Sequence, residues 1–322
     1  MTEKRKIVIL SSFAHELTYE TEKLGAMDDV MLVISPLKKH DEVLEVVRDA
    51  EVILFTDVSM NAEFLEKLEK CKLIIRYGIG YDNIDIKKAA ELGITVCNAP
   101  NYGVTDVAEH ALSLMLSCAK RLTYMNDCIR EEMWSTGAMG SSVRLSGKTV
   151  GFVGFGKIAK CVCERTNAFK MKPLVYDPYV NEETLLEYGA TVADFDTILK
   201  ESDIVTLHLP LNEKTKHMIT MNELQKMKNT AILINTSRGG LVKEADLIKA
   251  LSEGIICGAG LDVFEDESGK LDKSVFTMKN VALTPHVAWN TKEAMESLHI
   301  EVTENVIKYL DGKKPDSIVN DR

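Results

Sequence analysis

Thr149-Val150-Gly151-Phe152-Val153-Gly154-Phe155-Gly156-Lys157-Ile158-Ala159 is the stretch that decides the fold. Its first five residues are short and apolar enough for a buried strand, and a helix-period run follows from Ile158 to Phe169. A second strand candidate, Leu174-Val175-Tyr176, ends at Asp177. Strand, glycine turn, helix, strand and terminal acid together predict a βαβ unit for an adenine dinucleotide. The first two glycines permit a tight turn and let a pyrophosphate approach the backbone from Gly154 through Phe155, Gly156, Lys157 and Ile158. There the helix N-terminal amides meet its charge. Ala159 fills the third position of the G-x-G-x-x-G/A pattern, where a small side chain suffices. Asp177 is placed to bond both ribose hydroxyls and to repel a 2′-phosphate, which predicts NAD over NADP. The bland alternative is a tight βα turn with no ligand.

At 322 residues the chain is long for one core, so two domains are expected. A hydrophobic share of 45% and a charged share of 27% are ordinary for a globular protein. The net charge of −10 argues against a phosphate-backbone partner, which calls for a basic face. No apolar run reaches the roughly 20 residues of a membrane span. The N-terminus leads directly into Ile7-Val8-Ile9-Leu10 with no signal-peptide pattern. Seven cysteines, none in a C-x-x-C pair, read as reduced thiols used as small apolar residues in a cytoplasmic protein. Cys161 and Cys163 point to different sides of their helix. No His/Cys cluster has zinc spacing, so no metal is expected.

Residues 1–100 alternate strand-like and helix-like runs, which predicts a parallel sheet with helices on both faces. No glycine fingerprint opens its first turn, so this part is not expected to bind the dinucleotide. Gly78-Ile79-Gly80-Tyr81-Asp82-Asn83 reads either as a plain turn or as a strand-end loop whose amides hold a carboxylate. Asn98 to Gly103 is a breaker cluster and the first boundary candidate. Thr105 or Asp106 then caps a long helix, and a second helical segment runs from Leu122 to Met133. His110, among apolar neighbours, reads as packed or capping rather than catalytic. Beyond Asp177, strand candidates end at His208-Leu209-Pro210, at Thr236-Ser237-Arg238-Gly239-Gly240, at Asp262 and at Thr284-Pro285-His286. All of these polar clusters fall on one rim of a parallel sheet.

Three residues on that rim suit one chemistry. Arg238, given room by two glycines, can bind a carboxylate in bidentate fashion. His286 can exchange a proton near neutral pH. Glu267, in the acidic loop Glu265-Asp266-Glu267, would orient the imidazole and raise its pKa. The set fits hydride transfer between a nicotinamide and a 2-oxo or 2-hydroxy acid. Each residue also has a plainer reading: a surface arginine, a charged turn, a packing histidine.

Gly78 to Asp85, Val107 to Ala111, Gly154 to Ala159, Asn235 to Gly240, Gly260 to Glu265 and Leu283 to His286 stand in the order and spacing of a known family. The chain closely resembles the NAD-dependent D-isomer-specific 2-hydroxyacid dehydrogenases over nearly its whole length. The resemblance implies an α/β protein of two Rossmann-like doubly wound domains. A flavodoxin-like substrate domain (1–100 plus 287–322) would be interrupted by an NAD-binding domain (101–286). The segments around Asn101 to Lys120 and Val287 to Leu310 would cross between them, and a homodimer would form on the region from Asp106 to about Ser146. The family's catalytic Arg, Glu and His fall on Arg238, Glu267 and His286. Asp262 would lie near the nicotinamide, and Thr105, His208, Pro210, Thr215 and Thr236 would line the cofactor. Ile79 and Gly80 would present amides to the substrate carboxylate. Where the family carries Pro after its catalytic Glu, this chain has Ser268-Gly269, which leaves Glu265 and Asp266 as competitors for that role.

Trp289, just after His286, resembles the glycerate dehydrogenase (hydroxypyruvate reductase) branch. Phosphoglycerate dehydrogenases are also similar, but tend to place an arginine where this chain has Thr56-Asp57-Val58. An acid there disfavours a phosphorylated substrate, since an unpaired dianion is costly. The formate dehydrogenase branch uses Gln where Glu267 stands. The expected substrate is therefore a small unphosphorylated 2-oxo acid such as hydroxypyruvate or glyoxylate. The other class left open is an NAD-responsive binding protein resembling the family's corepressors.

Overall fold

A computed structural model describes residues 4–11, 17–36, 39–134, 142–267 and 272–320. The chain forms two compact units, Met1–Gly103 with Thr291–Arg322, and Val104–Asn290. The second is thus inserted into the first. Among the described residues no helix is long and apolar enough to cross a membrane. The Ser268-Gly269 departure lies outside the described residues.

The first unit holds a parallel sheet of β1 (Arg5–Leu10), β2 (Val30–Ser35), β3 (Val52–Phe55), β4 (Leu73–Arg76) and β5 (Thr95–Cys97). Their spatial order is β2-β1-β3-β4-β5, the flavodoxin-like order. Val-Ile-Leu-Phe in β3 is wholly buried, as a strand covered by helices on both faces requires. Helix Lys292–Leu310 returns the chain to this unit and starts where the Thr291 side chain accepts the Ala294 amide at 3.0 Å. It packs Leu298, Val302 and Val306 into the cluster containing Ile7, Ile9 and Leu24.

That interface contains one buried acid. Glu20, on helix Thr18–Leu24, is fully buried, and its Oε1 accepts from the Tyr77 hydroxyl at 2.8 Å and from His299 Nδ1 at 2.6 Å. Burial, followed by the Glu20 charge and hydrogen bond, pushes the Tyr77 phenol well above its ordinary value.

The second unit holds β6 (Thr149–Val153), β7 (Lys172–Tyr176), β8 (Thr191–Val192), β9 (Ile204–Leu207), β10 (Ile232–Asn235), β11 (Gly258–Leu261) and β12 (Val281–Leu283). All pair in parallel in the order β12-β11-β10-β9-β6-β7-β8. The order reverses between β6 and β9, where doubly wound sheets open a crevice at their carboxyl ends. Helix Val104–Lys120 buries Ala108, Ala111, Leu114 and Met115 with Phe152 and Ala159.

Several boundaries differ from the sequence reading. The long helix begins at Val104, so Thr105 and Asp106 lie inside its first turn rather than capping it. Asp106 there still meets the positive helix end. The second helix spans Leu122–Arg130, set off by Arg121 in the left-handed region at φ 55°. Strand β11 starts at Gly258 rather than Ile255, because the Ile255 amide closes the preceding helix on the Ala250 carbonyl at 2.9 Å. The edge strand β8 has two exposed residues and no apolar run to betray it.

All seven cysteines are free thiols. Burial pushes those of Cys71, Cys97, Cys118 and Cys163 up to about 12, which leaves them unreactive. Glu20→Ala would strand two buried donors. It should destabilise the protein by about 3 kcal/mol, read as a lower urea midpoint.

Candidate active site

The glycine turn joins β6 to helix Lys157–Ala168. Gly154 sits at φ 87°, and a Cβ there would fall 2.5 Å from the His208 carbonyl oxygen. No other residue fits both demands. A Cβ at Gly156 would meet nothing within 4 Å, so that face of the turn is open. Gly156 is the helix N-cap and supplies no side-chain acceptor to the amides of the first turn. Phe155 is differently employed. Its ring is buried against Phe152 and Tyr188, and its amide donates to Asp177 Oδ2 at 2.7 Å. It shapes the turn and offers no free donor.

Asp177 ends β7, and its Oδ1 accepts the Tyr179 amide at 2.8 Å. The acid so held is one of the residues that line a cavity of 370 Å³, with Tyr176, Pro178, Val192, Ala193 and Asp194. Across the reversal point, His208 follows β9. Its Nε2 bonds the Thr206 hydroxyl at 2.9 Å, and burial pushes the imidazole down to about 3. The ring is therefore neutral at physiological pH. Thr215 donates its hydroxyl to the Pro210 carbonyl at 2.7 Å and accepts the Asn212 amide at 2.9 Å, closing its own loop. The Thr236 Oγ1, after β10, is buried and has no partner within the protein. Thr105 is exposed on the first turn of its helix. An open glycine turn, uncapped helix amides, a fixed acid beside a cavity and an orphaned buried hydroxyl together fit a dinucleotide.

The other half of the rim carries the ionisable groups. Asn235, almost fully buried, shapes the turn after β10: Oδ1 accepts the Ser237 amide at 3.0 Å and Nδ2 donates to the Arg238 carbonyl at 2.9 Å. Arg238 Nη1 donates to the Ser237 carbonyl at 2.8 Å. The glycines after Arg238 do not simply make room for it. A Cβ at Gly239 would lie 1.8 Å from the Phe264 carbonyl oxygen and 2.5 Å from the Glu265 nitrogen. Gly239 is what lets the arginine turn pack onto the loop that carries Glu267.

Glu267 Oε2 accepts from His286 Nδ1 at 2.7 Å. Burial works to raise the Glu267 carboxyl. The His286 bond and charge, the Phe264 amide and the Arg238 charge outweigh it, so its pKa falls below the ordinary carboxylate value. Glu265 turns elsewhere, to His217 at 2.5 Å. Of the acids in that loop it is Glu267 that meets His286.

Asp262 is fully buried after β11 and holds the histidine loop. It accepts from the Thr284 hydroxyl at 2.5 Å and from the Val287 and Ala288 amides at 3.0 and 2.9 Å, while its carbonyl takes the His286 amide at 2.7 Å. His286 is in the left-handed region at φ 54°. Trp289 donates Nε1 to the His286 carbonyl at 3.0 Å and so braces the same turn. His110 bonds Thr284 Oγ1 at 2.9 Å and approaches Asp262 to 3.5 Å. Its ring thus meets two polar groups at the strand ends. Ile79 and Gly80 belong to the first unit, in the loop after β4, where the Ile79 carbonyl accepts from Asn98 Nδ2 at 2.7 Å.

Sequence reading missed Thr284 and Asn235 as loop-holders and His217 as the partner of Glu265. Only the first two carried a signal, as polar residues at strand ends. Among the described residues no group of His, Cys, Asp or Glu gathers to hold a metal ion.

Comparison with known proteins bears on this rim. The family model for the D-isomer specific 2-hydroxyacid dehydrogenase NAD binding domain matches residues 112–288. The chain is 43% identical to the glyoxylate reductase of Thermococcus litoralis over 285 residues, 86% of each chain. It is 37% identical to the hydroxypyruvate reductase of Thermotoga maritima, covering 91% of this chain and 96% of that one. A D-lactate dehydrogenase from Aquifex aeolicus, solved with NAD and lactic acid, superposes with a TM-score of 0.90 at 30% identity, over 98% of this chain and 99% of that one.

Gly239→Ala should force the arginine turn and the Glu267 loop apart. Steady-state kinetics should show kcat/KM down by about a hundredfold, the scale expected for a displacement near 1 Å.

Proposed function

The chain belongs to the D-isomer specific 2-hydroxyacid dehydrogenase family, and from that premise we propose that it reduces small unphosphorylated 2-oxo acids, glyoxylate and hydroxypyruvate foremost. It is an NAD-dependent oxidoreductase of 2-hydroxy acids. The observation that carries the assignment of roles is the 2.7 Å bond between Glu267 and His286 on the rim that also bears Arg238.

Arg238 holds the substrate carboxylate through its planar fork and polarises the adjacent carbonyl. Ile79 and Gly80, in the loop after β4, would present backbone amides to a carboxylate. Glu267 fixes the His286 proton on Nδ1, which leaves Nε2 as the atom that serves the substrate oxygen. In reduction the imidazolium gives a proton to that oxygen, and in oxidation the neutral ring takes it back. The nicotinamide, when bound, supplies or accepts the hydride. The buried amides and hydroxyl on Asp262 keep His286 in one orientation through both directions.

Gly154, Gly156, Lys157 and Ile158 would cradle the pyrophosphate, Asp177 the adenosine ribose, and His208, Pro210 and Thr236 the nicotinamide end. Thr105, Phe155 and Thr215 contribute by shaping the surrounding backbone. An unphosphorylated substrate is supported by Asp57, exposed at the end of β3, where a phosphate would meet a negative charge. The exposed apolar side chains of Leu122, Ile129, Met133 and Trp134 support a homodimer built on that region, and the free thiols support a reducing, cytoplasmic setting.

The sign of the pH dependence follows from Glu267. Its pKa is depressed below 4.5, so the pairing with His286 is fully present above that value and is lost as pH falls through the depressed one. His286→Ala should cut kcat with glyoxylate or hydroxypyruvate by about a thousandfold while NADH affinity, measured by fluorescence titration, stays near wild type. Asp177 should make NADPH bind about a hundredfold more weakly than NADH, and Asp177→Ser should narrow that gap, each tenfold being about 1.4 kcal/mol.

A further inference from the structure

Glu265 sits two residues before Glu267, and its carboxylate is bound from two sides. Oε1 meets His217 Nε2 at 2.5 Å, and Oε2 accepts the Glu244 amide at 2.8 Å. The contact is reciprocal, since Glu244 Oε2 accepts the Glu265 amide at 3.0 Å. Helix Glu244–Ser252 has Lys243 at its N-cap with no side-chain acceptor. Glu265 supplies the missing cap from a distant loop, where the helix N-terminus favours a carboxylate. His217 in turn is tied to the arginine turn, its amide donating to the Gly240 carbonyl at 2.8 Å. His217 holds a left-handed φ of 52°, a conformation that only its surroundings maintain.

Three separate segments therefore meet at one carboxylate: the His217 turn, the start of helix Glu244–Ser252 and the loop Val263 to Glu267. Gly239 presses the same loop from below through the Phe264 peptide. Among the described residues, Glu267 Oε1 is steadied within its own loop by a long 3.4 Å contact with the Phe264 amide. The direction in which Glu267 points is consequently set by how the preceding two residues are held.

We propose that Glu265, clamped by His217 and Glu244, is a positioning residue that aims Glu267 at His286. The inference rests on the acid–base reading of Glu267 and His286 given above. Asp246 and Lys243 are further charged groups near His217, beside Glu213, Lys214 and Lys216 on its own turn. Asp246 and Lys243 pair with each other at 3.3 Å, and Asp246 also accepts the Met221 amide at 3.0 Å.

The test is kcat and KM for hydroxypyruvate as a function of pH in wild type, Glu265→Ala, Glu267→Gln and the double variant. With the clamp removed, kcat should fall by about tenfold while KM and NADH affinity hold, the scale typical of residues that orient a functional group. The pH profile of Glu265→Ala should move onto that of Glu267→Gln, and the double variant should be no slower than Glu267→Gln alone. Glu265→Gln, which keeps an acceptor, should fall between wild type and Glu265→Ala. If Glu265→Ala does not fold, Glu265→Gln and His217→Asn are read in its place against the same profile. An altered Glu267→Gln profile beside an unaltered Glu265 or His217 profile, or losses that simply multiply, overturns the clamp and leaves only a helix cap. A wild-type profile in Glu267→Gln removes the acid–base reading itself, and the clamp with it.

Discussion

The Asp262 carboxylate is the interaction on which the rim depends. It is a fully buried carboxyl group, which is unfavourable unless its oxygens are hydrogen-bonded. Two amides and a hydroxyl satisfy them, and all three donors come from the single stretch Thr284 to Ala288. That stretch wraps around the acid, so His286 is carried into a left-handed conformation that costs roughly 1–2 kcal/mol in isolation. The strain is held at the tip of β12 by bonds reaching back to β11. A histidine on such a turn has one orientation, which is what proton transfer at a fixed carbonyl requires.

Around that point the second unit uses close backbone approach more than side-chain chemistry. Gly154 lets the turn after β6 touch the loop after β9, and Gly239 lets the turn after β10 touch the loop after β11. Each contact lies between loops that follow neighbouring or near-neighbouring strands in the parallel order. The Thr236 hydroxyl is buried and, among the described residues, without a partner, and the N-cap Gly156 brings no side-chain acceptor to its helix. The division of labour is physical. Groups with satisfied hydrogen bonds build the rim, and in the proposed reading an unsatisfied buried one is open to a ligand.

Much of this was legible before any coordinates. Apolar runs such as Val-Ile-Leu-Phe mark buried parallel strands, and a polar cluster after each one marks the rim, because side chains at strand ends leave the core together. The triad residues were nameable because the family spacing is strict and their chemistry is distinctive. Three things were not legible. The direction of a side chain is not written in its offset along a loop, so Glu265 and Asp266 stood as competitors to Glu267, and it is the structure that gives His217 to Glu265 and His286 to Glu267. Long-range capping is equally silent, since Glu265 and helix Glu244–Ser252 are far apart in sequence. Phe155 looked like part of a binding loop, and its burial appears only once β6, Phe152 and Tyr188 are packed around it.

In the proposed reading Arg238 anchors the carboxylate and His286 the carbonyl oxygen, which fixes the face of a planar 2-oxo acid that meets the hydride, and the family is the D-isomer specific one. The most direct measurement is therefore the chirality of the product made from hydroxypyruvate and NADH, resolved by chiral chromatography. D-glycerate as the sole product is the result predicted here. L-glycerate, or a racemic mixture, would contradict the account.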